Sequence, residues 1–250
     1  MILQNTVFYL AGDSAALRFA GEFLDYLGAE VAQRPDSRVT HLLLPVPSFE
    51  NGRVKGGWKL ESILSALPGD ITVVGGNLDH PALARYQCVD LLQDPFYIAE
   101  NADITAHCAV KLALSKLPVT LKGQSVLVIG WGRIGKCLAR LLRAMGAEVA
   151  VQTRKDTDRA ILAALGYAPR QAIDKYRVIF NTAPVMIIGE NEATLCRSDC
   201  LKIDLASEVG IAGEDVLWAR GLPGKDAPES SGWLIARTVE RLLCGKGRGT

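Results

Sequence analysis

The chain has 250 residues, a formal net charge of +1 and 49% apolar residues, enough for two domain cores, and its scattered charges exclude a nucleic-acid or membrane surface as partner. No stretch approaches the roughly 18 apolar residues that cross a bilayer, and the N-terminus lacks the basic region and cleavage site of a secretory signal. A cytoplasmic protein is therefore expected.

In chain order, Thr6 to Leu10 reads as a strand, and Ala11, Gly12, Asp13 and Ser14 as the turn into a helix with apolar positions Leu17, Phe19, Phe23, Leu24 and Leu27. Glu30 to Ala32 is a second strand, and His41 to Leu44 a third, stopped by Pro45 and Pro47. A polar loop, Ser48 to Gly57, precedes a helix over Trp58 to Leu67, and strands follow at Ile71 to Val74 and Gln87 to Leu91. This alternation predicts a parallel α/β domain over residues 1–104, flavodoxin-like or Rossmann-like. Asp94, Pro95 and Phe96 punctuate its end, and Thr105 to Leu117 reads as a helix connecting to a second domain.

The second domain, residues 105–228, runs strand (Ser125 to Ile129), helix (Ile134 to Met145), strand (Glu148 to Gln152), helix (Thr157 to Leu165) and strands at Val178 to Asn181 and Leu201 to Leu205. The fold class is thus α/β, two parallel-sheet domains joined by interdomain helices. A final helix, Ser231 to Leu243, lies in a segment, 229–250, expected to pack back on the first domain. The basic Lys246 and Arg248 read as a frayed end rather than a patch.

Between the first strand and helix of the second domain, Gly130, Gly132 and Gly135 are spaced G-x-G-x-x-G, with Arg133 and Ile134 between the last two. Such a turn brings backbone N–H groups at a helix N-terminus to a pyrophosphate: the first glycine permits the turn, the second the approach of phosphate, the third close helix–strand packing. A protein choosing NAD usually places an acid about 20 residues beyond the first glycine. Here that region holds Gln152, Thr153, Arg154 and Lys155, with no acid before Asp156. Two cations and a hydroxyl suit a 2′-phosphate, so NADP is expected, with NAD as the alternative.

Ligands of open parallel sheets collect at the carboxyl ends of strands, which predicts a substrate in a cleft between the domains. Asn181, Thr182 and Pro184 follow a buried strand and could wall a nicotinamide ribose or form a plain turn. Asp204 and Ser207 end the next strand; Asp204 could orient ribose or substrate, or cap a loop. Gly221 to Pro228, with Pro223 and Lys225, reads as a stiff loop suited equally to covering a cofactor or to a structural crossover. The three histidines, His41, His80 and His107, all precede Gly130, so the general acid/base histidine that two-domain hydroxyacid dehydrogenases carry after their nucleotide-binding strands has no counterpart. His107 falls in the first turn of the connecting helix as read here. The six cysteines are dispersed and mostly in apolar elements, which suits reduced core thiols; no metal site is expected from Cys196 and Cys200, which lack a nearby histidine.

Gly123 to Lys155, NTAP at Asn181 to Pro184, IDLAS at Ile203 to Ser207 and GLPGKDAP at Gly221 to Pro228 resemble the family of the dipicolinate synthase A subunit, its NADP-binding dehydrogenase component. So do AGD at Ala11 to Asp13, LPVP at Leu44 to Pro47 and ENADITA at Glu100 to Ala106. The resemblance implies an NADP-dependent oxidation of a dihydrodipicolinate-type ring to pyridine-2,6-dicarboxylate in the mother cell of a sporulating bacterium, in partnership with a flavoprotein-like B subunit. Loop position and resemblance together nominate Thr105, Asn101 and Ser207 as catalytic-side residues, and Asp13, Pro45, Pro47, Ser48 and Thr105 as substrate-side residues. Backbone N–H groups at the start of the connecting helix join them, with Lys225 or Arg133 as longer-range cations. A homo-oligomer is expected, through the connecting or terminal helix. Glu208 stands where the family has a basic residue and His107 where it has an acid. A dehydrogenase of another small dicarboxylate or imino acid, or a non-catalytic NADP-binding partner protein, are the competing readings.

Overall fold

Residues 3–245 are described in the computed structural model. They form two units, one running up to Asn101 and resuming at Pro223, the other spanning Ala102–Leu222.

The first unit is built from β1 (Val7–Leu10), α1 (Ala15–Tyr26), β2 (Glu30–Ala32), β3 (His41–Leu43), a hairpin of β4 (Phe49–Glu50) and β5 (Arg53–Val54), α2 (Leu60–Ser65), β6 (Thr72–Gly75) and β7 (Gln87–Asp90). Its sheet is parallel in the order β2-β1-β3-β6-β7. With the hairpin set aside, this is the flavodoxin-like order. Leu42, Leu44, Val73 and Ile63 share one buried cluster, since strands covered on both faces read as continuous apolar runs. Ser14 starts α1 by accepting the Leu17 N–H at 3.0 Å.

Two expectations in this unit need correcting. The polar loop contains the β4–β5 hairpin, whose Asn51 and Gly52 have φ of 51° and 72°, the left-handed pair that a two-residue hairpin turn requires. The connecting helix, α3 (Pro95–Lys116), has 22 residues and begins well before Thr105. Asp94 accepts the Tyr97 N–H at 2.7 Å and Pro95 occupies the first helical position, where its missing N–H costs nothing. The punctuation that reads as a break is thus a helix start.

The second unit holds the rest of α3, then β8 (Ser125–Ile129), α4 (Arg133–Ala144), β9 (Glu148–Gln152), α5 (Asp156–Ala164), β10 (Ala168–Pro169), β11 (Val178–Asn181), α6 (Glu190–Ala193), β12 (Leu201–Asp204) and β13 (Val216–Trp218). All six strands are parallel, in the order β10-β9-β8-β11-β12-β13. This is the Rossmann order, with its crevice where the order reverses, between β8 and β11.

The segment Gly221 to Pro228 is not a loop. Gly221 turns the chain at φ 67°, and α7 (Leu222–Asp226), in the first unit from Pro223 on, and α8 (Pro228–Gly245) follow. Pro223 and Pro228 fall in first turns, where proline is compatible with helix. Pro223 and Lys225 therefore lie on a short helix of the first unit. A Cβ on Gly232 would sit 2.5 Å from the Phe19 Cβ and 2.7 Å from the Ala20 nitrogen, so its absence lets α8 lie directly on α1. Lys246 and Arg248 lie outside the described residues.

None of the six cysteines is in a disulfide, but only Cys108 and Cys200 are buried, and Cys88 is exposed; the expectation of core thiols holds for two positions. Burial, with Cys196 as a lesser influence, pushes the Cys200 thiol up to about 12. At pH 8 it stays protonated, and the thiolate is the nucleophile. Iodoacetamide labelling of the folded protein should therefore leave Cys200 unmodified by peptide mass mapping. Labelling as fast as in denaturant would contradict the buried placement.

Candidate active site

The carboxyl ends of β8, β9 and β11 enclose a pocket of about 290 Å³. Its floor is the glycine turn. Gly130 has φ 101°, a left-handed value that favours glycine, and it is packed closely: a Cβ there would meet the Thr182 hydroxyl at 2.4 Å. Gly135 lies beneath, where a Cβ would come within 2.1 Å of the Gly130 carbonyl oxygen. Gly132 is different. It is the N-cap of α4 with extended backbone, and nothing lies within 4 Å of the position its Cβ would take. A helix N-terminus with unpaired N–H groups and open space in front of it fits a pyrophosphate.

The turn is locked to β11 by Thr182, whose N–H and hydroxyl both donate to the Ile129 carbonyl, at 2.8 and 2.9 Å. Pro184 also lines the pocket. At the end of β9, Thr153, Arg154 and Lys155 form the opposite wall. Arg154 and Lys155 are exposed, and among the described residues neither side chain has an ion-pair partner. Arg133 is exposed on the first turn of α4 and Ile134 half-buried; neither contributes to the pocket wall.

Trp131, Asp158 and Ile187 line the wall without being singled out by the sequence, and Gln152, noted there only as part of the strand end, lines it too. Trp131 fills the variable position of G-x-G and packs edge-on against Tyr167, ring centroids 5.6 Å apart. Asp158, in α5, accepts a long hydrogen bond from the Thr153 hydroxyl at 3.4 Å. Helical periodicity alone could have brought Asp158 back toward the strand end, since it is one turn into α5.

Asn181 and Asp204 are corrected as ligand contacts. Both are 0% exposed. The Asn181 amide donates to Ala183 O at 2.9 Å and to Asp204 Oδ1 at 3.0 Å, while its oxygen accepts the Ala183 N–H at 3.0 Å. Asp204 also accepts the Ala206 N–H at 3.0 Å and the Gly210 N–H at 2.7 Å. The pair holds the loops after β11 and β12 from inside.

Ser48 is corrected in the same way. Also 0% exposed, its hydroxyl donates to Pro45 O at 2.8 Å and accepts the Gly76 N–H at 3.0 Å, tying the ends of β3 and β6. Pro45 is buried, a Cβ on Gly12 being only 2.5 Å from its Cγ; Asp13 and Pro47 are exposed in the same loop group. Thr105 is buried and Asn101 half-buried in the body of α3, so the backbone N–H groups near Thr105 serve the helix and are not available to a carboxylate. His107, also mid-helix, is 3.6 Å from Asp103, which pairs with Arg140 at 3.0 Å. Ser207 and Glu208 are exposed after β12.

Residues 93–191 match the NAD-binding domain of D-isomer specific 2-hydroxyacid dehydrogenases. That span includes the glycine turn and every wall of the pocket, so the chain carries a nicotinamide-nucleotide-binding domain of dehydrogenase type. The A subunit of dipicolinate synthase from Bacillus subtilis (strain 168) is 29% identical over 176 residues, 65% of this chain and 59% of that protein. The chain resembles the A subunit of dipicolinate synthase. Solved structures of that subunit from Bacillus halodurans and Bacillus subtilis share the fold, at TM-scores of 0.77 and 0.78 and 23% identity. They match 98% of this chain and 100% and 97% of their own. A transhydrogenase from Sinorhizobium meliloti shares it at TM-score 0.70 and 14% identity, over 96% of this chain and 94% of its own. The hydroxyacid dehydrogenase match ends at residue 191, before β12, and all three histidines precede Gly130. No helix among the described residues is long and apolar enough to cross a membrane.

Proposed function

We propose that the chain is an NADP-dependent dehydrogenase of the dipicolinate synthase type, oxidising dihydrodipicolinate, or its hydroxy-tetrahydro precursor, to pyridine-2,6-dicarboxylate. The observation that carries the cofactor half is the pocket wall at the end of β9, where two unpaired cations stand beside the open face of Gly132. The substrate half rests on the motif series from Ala11 to Pro228 and on the relative that is 29% identical.

When bound, NADP would supply the acceptor for a hydride leaving the ring carbon of dihydrodipicolinate, and a ring proton is lost as the pyridine forms; the hydroxy-tetrahydro precursor must in addition lose water. Aromatisation drives the step, so the protein's task is alignment more than acid–base activation. The glycine turn and the α4 N-terminus hold the pyrophosphate, Thr182 fixes the floor, and Arg154 and Lys155 hold the 2′-phosphate. Asp13, Pro47, Asn101, Thr105 and Ser207 stand as the proposed substrate-side residues. The relative is by its name one component of a multi-subunit synthase, which supports a partner here, a flavoprotein-like B subunit in the sporulating mother cell; we further propose a homo-oligomer of this chain. Glu208, an exposed acid after β12, favours the second reading, a dehydrogenase of another small dicarboxylate, because an anion beside a dianionic substrate is unfavourable.

The deciding experiment supplies NADP and freshly generated dihydrodipicolinate precursor, with and without the B subunit, and follows NADPH and pyridine dicarboxylate by absorbance. Product in either arm is expected; none in both would remove the reading. For the cofactor, the Arg154→Ala, Lys155→Ala double variant should weaken NADP binding by at least about tenfold, given charge-assisted hydrogen bonds of ~1.5–3 kcal/mol each. NAD binding should stay within about twofold by calorimetry; an equal loss for both nucleotides would contradict a 2′-phosphate site there.

A further inference from the structure

Gln152 is the last residue of β9 and lines the nucleotide pocket. It occupies the region where an acid would accept the ribose 2′-hydroxyl of NAD. Its side chain is not free to choose what it offers. Arg170, just past β10, donates from Nη1 to Gln152 Oε1 at 2.7 Å, and its other arm pairs with Glu192 in α6. Arg170 is not part of the pocket wall, and its side chain is only 20% exposed. A guanidinium has donors only, so the Gln152 atom beside it must be the acceptor oxygen. The NH2 group, with two donors and no acceptor, is thereby turned away from Arg170 toward other partners, while the oxygen, which keeps one further lone pair, stays on the Arg170 side.

We propose that Arg170 is a positioning residue for cofactor choice: by holding the oxygen of Gln152, it commits the Gln152 amide to donating. Donors at this position suit a 2′-phosphate better than a 2′-hydroxyl, so the pair favours NADP over NAD even with the Asp158 carboxylate elsewhere in the wall. Glu192 holds the second arm of Arg170 and keeps the guanidinium behind the wall, where it cannot itself be drawn to the phosphate. The three residues come from the ends of β9 and β10 and from the helix after β11, so the polarity of one pocket atom is set by three separate parts of the chain. This inference rests on the NADP reading above.

The test titrates NADP and NAD into full-length wild-type and variant proteins by calorimetry, with melting temperature recorded alongside. Wild type should bind NADP more tightly. Arg170→Leu frees the amide to turn its oxygen outward and should lower the NADP:NAD affinity ratio about tenfold, the worth of one hydrogen bond to a charged group, with NAD binding kept or improved. Arg170→Lys, which still donates to the oxygen, should restore most of the ratio. Gln152→Leu should lower it as much as Arg170→Leu, and the two together no further, because both remove one interaction. A merely structural role for Arg170 would instead weaken both nucleotides in parallel. An unchanged ratio in Arg170→Leu and Gln152→Leu would overturn the inference while leaving NADP preference intact. If Arg170→Leu does not fold, Gln152→Leu, which alters only a wall side chain, decides by itself. Wild type preferring NAD would overturn the NADP reading and this inference together.

Discussion

Gly132→Ala and Gly135→Ala, three residues apart in one turn, are expected to fail in opposite ways. At Gly135 the new Cβ would lie 2.1 Å from the Gly130 carbonyl oxygen and 3.0 Å from its carbon. Both are backbone atoms, so no side chain can swing aside and the turn or α4 must move. Overpacking of this kind costs about 1–3 kcal/mol, which for a chain of this size lowers the melting temperature by roughly 2–12 °C. Nucleotide affinity should fall with it, because the N–H groups of the α4 terminus move with the helix. At Gly132 the backbone is extended, with φ −77° and ψ −169°, which alanine adopts without strain. Its Cβ would touch nothing in the protein. The apo melting temperature should therefore fall by only roughly 2–4 °C, the cost of about 1 kcal/mol for an alanine N-cap in place of glycine. The methyl group nevertheless stands where a pyrophosphate would approach the N–H groups, so affinity for either dinucleotide should drop at least about tenfold, the loss of one hydrogen bond to a charged group. Calorimetric titration beside thermal melts separates the two. Gly132→Ala retaining full affinity would mean that the pyrophosphate does not sit on this turn.

The same contrast shows which parts of the molecule were readable. β8, β9 and β11 are buried apolar runs bounded by turns, and their ends agree with the sequence reading residue for residue. β10 is two residues long and contains Pro169, and β13 is three residues with a half-exposed Trp218. Neither has enough alternation or apolar length to register, yet both are needed to complete the Rossmann order. Asp94 and Pro95 illustrate another limit: aspartate followed by proline marks a chain reversal and a helix start alike. Choosing the former placed Asn101, Thr105 and His107 near a helix terminus when they lie in its body. In the site, glycine spacing reveals backbone geometry because each glycine answers a local steric demand. The partners of Ser48, Asn181 and Asp204 depend on which loops meet, and polar residues at strand ends look the same in sequence whether they face a ligand or the interior. The Arg170–Gln152 contact spans β10 and follows no local pattern.

Asp204 provides the sharpest test of that last distinction. If it contacted ribose, removing it would weaken nucleotide binding and leave the apo protein as stable as before. The structure argues for the reverse order of effects. Its two oxygens accept three hydrogen bonds, from Asn181 at 3.0 Å, Ala206 at 3.0 Å and Gly210 at 2.7 Å, and no part of the residue is exposed. Asp204→Ala strands two backbone N–H groups and an amide in the interior, at about 1–3 kcal/mol for each donor left unsatisfied. A total near 3–5 kcal/mol is expected once the loop relaxes toward water, lowering the apo melting temperature by roughly 6–20 °C. Asp204→Asn is the finer probe. One oxygen can still serve Asn181 and Ala206, but the NH2 group that replaces the other faces the Gly210 N–H, donor against donor. Rotating the amide only moves the conflict to the other pair. The substitution should therefore cost about 1–3 kcal/mol, although side-chain volume is nearly unchanged. Gly210 cannot retreat toward β11 to relieve it, since even a Cβ there would lie 2.4 Å from Asn181 Nδ2. Nucleotide affinity should decline only secondarily, through loosening of the loop at Ala183 and Pro184 that walls the pocket. An Asp204→Asn protein that melts with wild type but has lost its nucleotide would return Asp204 to the ligand side of the wall.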